Sequence, residues 1–352
     1  GNYFFPRNMG YTIQDTQRER TNGHVALQYA PIDDLVITLD YTMTNAITGT
    51  NSIGWGMWND YGGNINAYEF DENGTVLYAD ISGNDGSYTA TRVTTEVKEK
   101  SVGLNFDWQV TDSLKLQLDY HDSSSENDNG ADEGLGSQGS LVLGSDQLTT
   151  KTYDFRSGEV PSAQIFWNNG TTELAPGELD SHFSQFIHSP GKSEIEQLQL
   201  DGRWDNTYDI PLVDVTFGFA RTEQTMGGSN AWSGLIGGFL FNPSWPEMLP
   251  DGMFTRHSTE NFLSAIDGGG ADLSPNYYYT FDFDELVARS EAFLTNDVLG
   301  GDDYFATTAY HDMGTVSSGS VQEDTTSFYV QAALEFEVAD FPVQLNLGAR
   351  YE

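Results

Sequence analysis

The chain of 352 residues contains no cysteine, which excludes a disulfide framework, a thiolate nucleophile and a thiolate metal centre. It is poor in positive charge: 15 lysines and arginines stand against 53 aspartates and glutamates, for a net charge of -38. A surface with that balance repels a phosphate backbone, so nucleic acid is excluded as a partner, and it repels bare anionic lipid too. No uninterrupted apolar run approaches the roughly 18 residues of a membrane-spanning helix. A Gly-x-Ser-x-Gly elbow, a phosphate-cradling glycine loop and a His-Glu-x-x-His helix are also missing. Carboxylate pairs are so numerous that their count lends a glycosidase dyad no support. The sequence does not read as an enzyme.

What is present is alternation with a period of two, in four pairs of runs that each meet across a short connection. The first pair has Val25, Leu27 and Tyr29, a turn over Pro31 to Asp34, then Leu35, Ile37, Leu39, Tyr41 and Met43. The second has Val102, Leu104, Phe106, Trp108 and Val110, a turn over Thr111 to Ser113, then Leu114, Leu116, Leu118 and Tyr120. The third has Leu198, Leu200 and Trp204, a connection over Asn206 to Pro211, then Val213, Val215, Phe217 and Phe219. The fourth has Phe328, Val330, Ala332, Leu334, Phe336 and Val338, a turn over Asp340 to Pro342, then Val343, Leu345, Leu347 and Tyr351. Polar residues such as Thr38, Asp40, Asn105, Asp119, Gln199, Asp201, Gln331 and Gln344 occupy the alternate positions. Side chains on a strand project to opposite faces, so each run has one apolar face and one polar face.

The strand pairs, about 23–43, 101–121, 195–222 and 326–352, are separated by polar excursions over about 44–99, 122–192 and 224–325. Every long excursion leaves from the end of the hairpins opposite the short turns. Strands of a soluble sandwich recur every ~8 to 12 residues, whereas one end of short turns and one of long loops is how an outer-membrane barrel is built. Alternation alone fits both, so a secreted acidic, calcium-dependent β-sandwich for binding or adhesion is the second expectation. Aromatic residues near both strand ends suggest membrane-interface girdles: Tyr29, Trp108, Trp204 and Phe336 toward the short turns, and Tyr41, Tyr120, Phe219 and Tyr351 toward the long loops.

The runs His24-Val-Ala-Leu-Gln-Tyr-Ala-Pro31 to Thr38-Leu-Asp-Tyr41, Val102-Gly-Leu-Asn-Phe-Asp-Trp108 to Gln117-Leu-Asp-Tyr120, and Gln344-Leu-Asn-Leu-Gly-Ala-Arg-Tyr351 resemble barrel segments of TonB-dependent outer-membrane receptors. The long acidic loops and Phe281-Asp-Phe-Asp-Glu-Leu-Val287 look most like the large-loop branch associated with oligosaccharide uptake. The resemblance implies an all-β fold, part of a large antiparallel transmembrane barrel of 22 strands with short periplasmic turns and long extracellular loops. It implies active uptake of a nutrient ligand, an oligosaccharide first and a siderophore next, at the bacterial outer membrane. Partners would be the TonB-ExbB-ExbD system, reached through a plug domain, together with outer-membrane lipid and lipopolysaccharide. No plug is recognisable, the first residues lack the zones of a signal peptide, and the chain stops at Arg350-Tyr351-Glu352, so a truncated barrel is expected over 1–352.

The excursions carry the remaining candidates. Residues 122–192 hold eleven acids and three bases, and residues 224–325 hold fifteen acids and two bases. Such loops are stable where salt or divalent cations such as calcium screen them, and no dedicated cofactor is expected. Ser125, Asn127, Asn129 and Gly130 have the composition of a calcium loop, yet Gly136 stands where the bidentate glutamate belongs. His182 and His188, with Glu178 and Asp180 nearby, suggest metal ligands only weakly, because loop histidines are mostly solvated. Asn73-Gly74 between β-prone runs predicts a hairpin. Asp282, three residues before Glu285, predicts a capped helix. Trp55, Trp58, Tyr61, Trp167, Trp232 and Trp245 are the candidate ligand-binding aromatics, since exposed rings stack on sugars; small cores that stiffen the loops are the competing explanation.

Overall fold

The computed structural model describes residues 3–59, 63–83, 86–129, 138–144, 148–156, 161–167, 173–235, 249–265, 275–293 and 314–352, and these are nearly all antiparallel β. In chain order the strands are β1 (Asn8–Ile32), β2 (Leu35–Trp58), β3 (Ile65–Phe70), β4 (Val76–Ser82), β5 (Gly86–Thr111), β6 (Leu114–Asp128), β7 (Gln138–Gly144), β8 (Leu148–Asp154), β9 (Ser162–Trp167), β10 (Asp180–His188), β11 (Gly191–Asp205), β12 (Leu212–Leu235), β13 (Thr255–Ser258) and β14 (Tyr277–Thr280). Helix α1 (Phe283–Phe293), β15 (Gly314–Val338) and β16 (Phe341–Tyr351) follow.

The main sheet is a meander in the order β1-β2-β5-β6-β11-β12-β15-β16. Its four hairpin pairs are the four read from alternation. The strands run far past the apolar segments: β1 has 25 residues, about 80 Å of chain, where a membrane crossing needs about 9 to 11 residues. The extensions are rich in threonine and other strand formers, as in Thr44 to Thr50 and Thr89 to Thr95. They keep the ladder without hydrophobic alternation.

Above β6 and β11 the wall continues as a second storey. β7 pairs β5 through Tyr88↔Leu143, and β10 pairs β12 through Ile187↔Trp232, so β7 and β10 fill the gap left where β6 and β11 end. The junction is stitched by Asn129, whose side-chain amide donates to the Ile187 carbonyl at 3.1 Å and accepts from the Ser189 N–H at 2.7 Å. A side chain here replaces the ladder bonds that Pro190, with no N–H, cannot give.

A second sheet, β3-β4-β8-β9, forms from the tips of two excursions. Its first hairpin turns at Asp71, whose carboxylate accepts from the Asn73 and Thr75 N–H groups, with Gly74 at φ 83°. Those bonds, the one from Thr75 first, hold the Asp71 carboxyl below its ordinary pKa. The predicted helix also forms: Asp282 accepts from the Glu285 N–H at 2.8 Å, and Leu286 and Val287 point into a core.

Candidate functional site: the two faces of the wall

Register partners on antiparallel strands share a face. One unbroken rung therefore reads Tyr29, Ile37, Phe106, Leu118, Leu200, Phe219, Phe328 and Tyr351 across all eight strands. All eight are apolar. On this face Leu27 is 63% exposed, Leu39 46% and Leu347 56%, and no residue of the band belongs to a buried core among the described residues.

The band slants. On β2 it ends six residues above that rung, at Met43, whereas on β15, five strands away, it ends at the rung itself, at Phe328. Toward the short turns Leu35 lies two residues below the rung and Phe341, six strands away, lies ten below. With about 3.3 Å per residue and about 4.8 Å per strand, both borders fall at about 40° to the rungs. Two independent borders thus ask for one strand tilt. At that tilt the segments Leu35 to Met43 and Phe328 to Val338 are about 20 to 25 Å tall, and strands of outer-membrane barrels tilt ~35–45° behind an apolar belt of ~25 Å.

The predicted interface aromatics all lie on this face. Tyr29 is 66% exposed, Trp108 42%, Tyr41 38% and Tyr351 75%; Trp204, Phe336, Tyr120 and Phe219 are half-buried against neighbours. Phe217 lies over Gly202, where a Cβ would come within 2.2 Å of the ring.

The opposite face is a hydrogen-bonded polar lining. Asn105 donates to Asp119 at 3.1 Å, Gln28 to Thr38 at 3.2 Å, and the Tyr329 hydroxyl reaches over Gly218 to Asp201 at 2.7 Å. Lys115 pairs with Asp107, and Arg203 bridges Asp205 and Asp214. Higher on this face Thr42, Ser101, His121, Ser123 and Ser193 border a shallow hollow of about 280 Å³.

The excursions build a cap on the upper third of the wall. Its core joins Met57 and Tyr88 of the wall to Ile165, Leu179, Leu249, Tyr277 and Leu286, all buried. The Tyr277 hydroxyl accepts from the Leu174 N–H at 2.7 Å, and the Tyr11 hydroxyl donates to the Tyr277 carbonyl at 3.1 Å. Burial pushes the Tyr277 hydroxyl up to about 12 and moves those of Tyr11 and Tyr88 higher still. Arg92 on β5 clamps Asp284 of α1 with two bonds, at 2.6 and 2.8 Å.

The cap decides several candidate residues. Trp55 and Trp167 are 4% and 2% exposed and pack edge to face at 6.3 Å, so neither offers a ring face to a sugar. Their Trp-rich sequence context is the same for a core as for a binding platform. Trp58 is 43% exposed, and its carbonyl accepts from buried Lys151. Trp232 belongs to β12, with only its backbone described; Tyr61 and Trp245 lie outside the described residues. His188 bonds Asp128 at 2.8 Å, and the side chains of Asp180 and His182 lie outside the described residues. Ser125 and Asn127 are strand residues of β6, Asn129 is the junction staple, and Gly130 and Gly136 lie outside the described residues. Among the described residues no three His, Asp or Glu side chains gather as a metal would require. Comparison with protein-family models, curated proteins and solved structures finds no match for the chain.

Proposed function

We propose that this chain forms part of the wall of an outer-membrane uptake barrel, working through TonB-ExbB-ExbD by way of a plug domain, with an oligosaccharide as the favoured cargo and a siderophore next. The observation that carries the reading is the uncovered apolar band with two borders parallel at one tilt. In water such a face costs about 25 cal/mol per Å² left exposed, and hydrocarbon removes that cost. The polar face then lines the passage. Its amide, hydroxyl and carboxylate groups suit the hydroxyls of a neutral sugar, and the net charge of -38 disfavours an anionic iron chelate.

The reading of a soluble sandwich draws on the cap, where β3-β4-β8-β9 packs on the wall as a local second layer. That layer stops far above the band. Refolding from urea separates the two. The barrel reading expects folding only with detergent or lipid vesicles, and a monodisperse folded chain in plain buffer refutes it. Cargo is tested by uptake of labelled oligosaccharide in cells producing the protein. Uptake should stop with a proton uncoupler, and uncoupler-insensitive uptake removes the TonB assignment.

A further inference from the structure

The polar face of the wall carries two arginines that no described carboxylate holds. With 53 acids against 15 bases, a base in this chain ordinarily has an acid beside it. Seven of the ten arginines do, among them Arg92, Arg156, Arg203 and Arg221. Arg18 and Arg20 of β1 do not, and both are exposed. Arg20 gives its Nε–H to Asn22 Oδ1 at 2.9 Å, which leaves the four N–H groups at the end of its fork, and no described residue takes any of the five of Arg18.

β1 pairs β2 without a shift from Asn8 to Tyr29, so Arg18 and Arg20 share a side with His24 and Gln28, opposite Leu27 and Tyr29 of the band. The upper border of the band falls where Gly23 meets Met43, and at the 40° tilt Arg20 and Arg18 stand about 8 and 13 Å above it. The ground around them is almost free of acid. Across β1, β2 and β5 eighteen inward positions run from Gln14 to His24, from Thr42 to Ser52 and from Thr91 to Ser101, and Glu99 is the one carboxylate. It lies two strands from β1 and level with Asn22, about 12 Å from Arg20 and about 16 Å from Arg18 along the wall. Asp15, Glu19 and Glu96, the acids at this height, belong to the opposite face. Inward there are hydroxyls and amides: Gln14 donates to Thr16 at 3.0 Å, Thr16 meets Thr50 at 3.3 Å, and His24 meets Thr42 at 2.9 Å. Thr42 and Thr44 also border the hollow of about 280 Å³.

We infer that Arg18 and Arg20 form an anion-binding pair that takes the oxyanion group, a carboxylate or a sulfate ester, of an acidic oligosaccharide lying on the polar face, with the hollow at Thr42 and Thr44 receiving the hydroxyls of its neighbouring sugars. Anion binding needs only the exposed face, whereas the role of that sugar as cargo rests on the uptake reading above. A guanidinium presents two parallel N–H groups that match two oxygens of either oxyanion. The net charge of -38 works against a polyanion at long range. Within a Debye length, roughly 8 Å in physiological salt, a bound group meets two guanidiniums and no described carboxylate. An exposed charge pair is worth up to about fivefold in association, so the two together favour an acidic ligand over a neutral one by up to about twentyfold, and by less as salt rises.

Titration calorimetry on the protein folded in detergent micelles tests the pair, with trigalacturonic acid, a sulfated galactose trisaccharide and neutral maltotriose as probes. At low salt an acidic probe should bind severalfold more tightly than maltotriose, and the tighter of the two acidic probes names the group. The R18Q/R20Q variant should bring the ratio near one. The K98Q/R221Q variant, which loses the same charge from the opposite face, should leave it unchanged. Equal binding of the three probes, a preference that survives R18Q/R20Q, or one that K98Q/R221Q removes as well overturns the pair. If R18Q/R20Q fails to fold, Arg20→Gln alone should still lower the ratio, and an unaltered ratio there counts equally against it. A chain that is folded and monodisperse in plain buffer ends the barrel reading and is titrated in the same way, so the two failures are read apart. In cells, uncoupler-sensitive uptake of the labelled acidic probe should fall severalfold with R18Q/R20Q, and uptake indifferent to that variant takes the pair out of the passage.

Discussion

Leu39→Arg is the most discriminating single change. Leu39 lies four residues from Leu35 and four from Met43, so at a strand tilt of 40° it sits about 10 Å from each border, at mid-band. Arginine at the midplane of a lipid-facing strand costs about 2 to 4 kcal/mol, and at the interface about 0 to 1. Met43→Arg at the upper border should therefore cost under about 1 kcal/mol. Thr38→Arg, one residue away on the polar face, should cost about 0.5 kcal/mol or less, as for a solvated surface site. In water the three sites would behave alike, because Leu39 is 46% exposed and no described residue covers it. The assay is reversible urea unfolding of vesicle-inserted protein, followed by tryptophan fluorescence. If Leu39→Arg and Met43→Arg agree within about 0.5 kcal/mol, depth has no meaning and the band does not face hydrocarbon.

The cap and turns carry further expectations. Leu286→Ala, at a site 1% exposed, should cost about 2 to 5 kcal/mol and appear as faster proteolysis of the cap while the wall remains protected. Asp282→Ala should cost about 1 kcal/mol through loss of its bond to the Glu285 N–H, seen as faster amide exchange in α1. Ala339 and Asp340 at the β15–β16 turn have φ of 52° and 67°, so Ala339→Gly should stabilise that hairpin by about 1 kcal/mol, read as a shift of the urea midpoint. For pH, a tyrosine whose folded pKa lies above its unfolded value contributes stability that is complete below pH 10 and lost as pH rises. Tyr277, at about 12, places that loss between pH 10 and 12. The tyrosinate absorbance of the Tyr11, Tyr88 and Tyr277 group should rise late, together with cap opening.

Much of the wall was legible in the sequence because the band imposes a period of two on every strand that crosses it. Val25 to Met43 and Phe328 to Tyr351 needed only that pattern, and Asp71, Gly74 and Asp282 announced their turn and cap through short-range chemistry. The upper wall was hidden. Between Thr44 and Ser52, and between Thr89 and Glu96, both faces carry mostly small and polar side chains, so hydrophobicity stops alternating while the backbone goes on pairing. β7 and β10 were missed for a related reason: their partners lie on β5 and β12, about 43 to 55 residues away, and no local signal encodes such a register. Trp55 and Trp167 could be assigned only once the cap brought Tyr88, Ile165 and Leu286 around them.

Which side of the wall the cap occupies follows from register alone. β2 pairs β5 without a shift from Leu35↔Trp108 to Met57↔Gly86, so side-chain parity is kept over the whole length. Trp55, Met57, Tyr88 and Ala90, which hold the cap, therefore share a face with Leu39, Tyr41, Val102 and Leu104 of the band. A wall that turns its band to lipid must carry this cap on its outer side, as a collar about 20 Å above the upper border. On the proposed reading the described part of the long loops stiffens the rim, and the capture surface would be the other face, where Asn105 bonds Asp119 and Asp201 is held by Gln199 and Tyr329. Cargo selectivity should track those polar positions and be indifferent to the buried tryptophans of the collar.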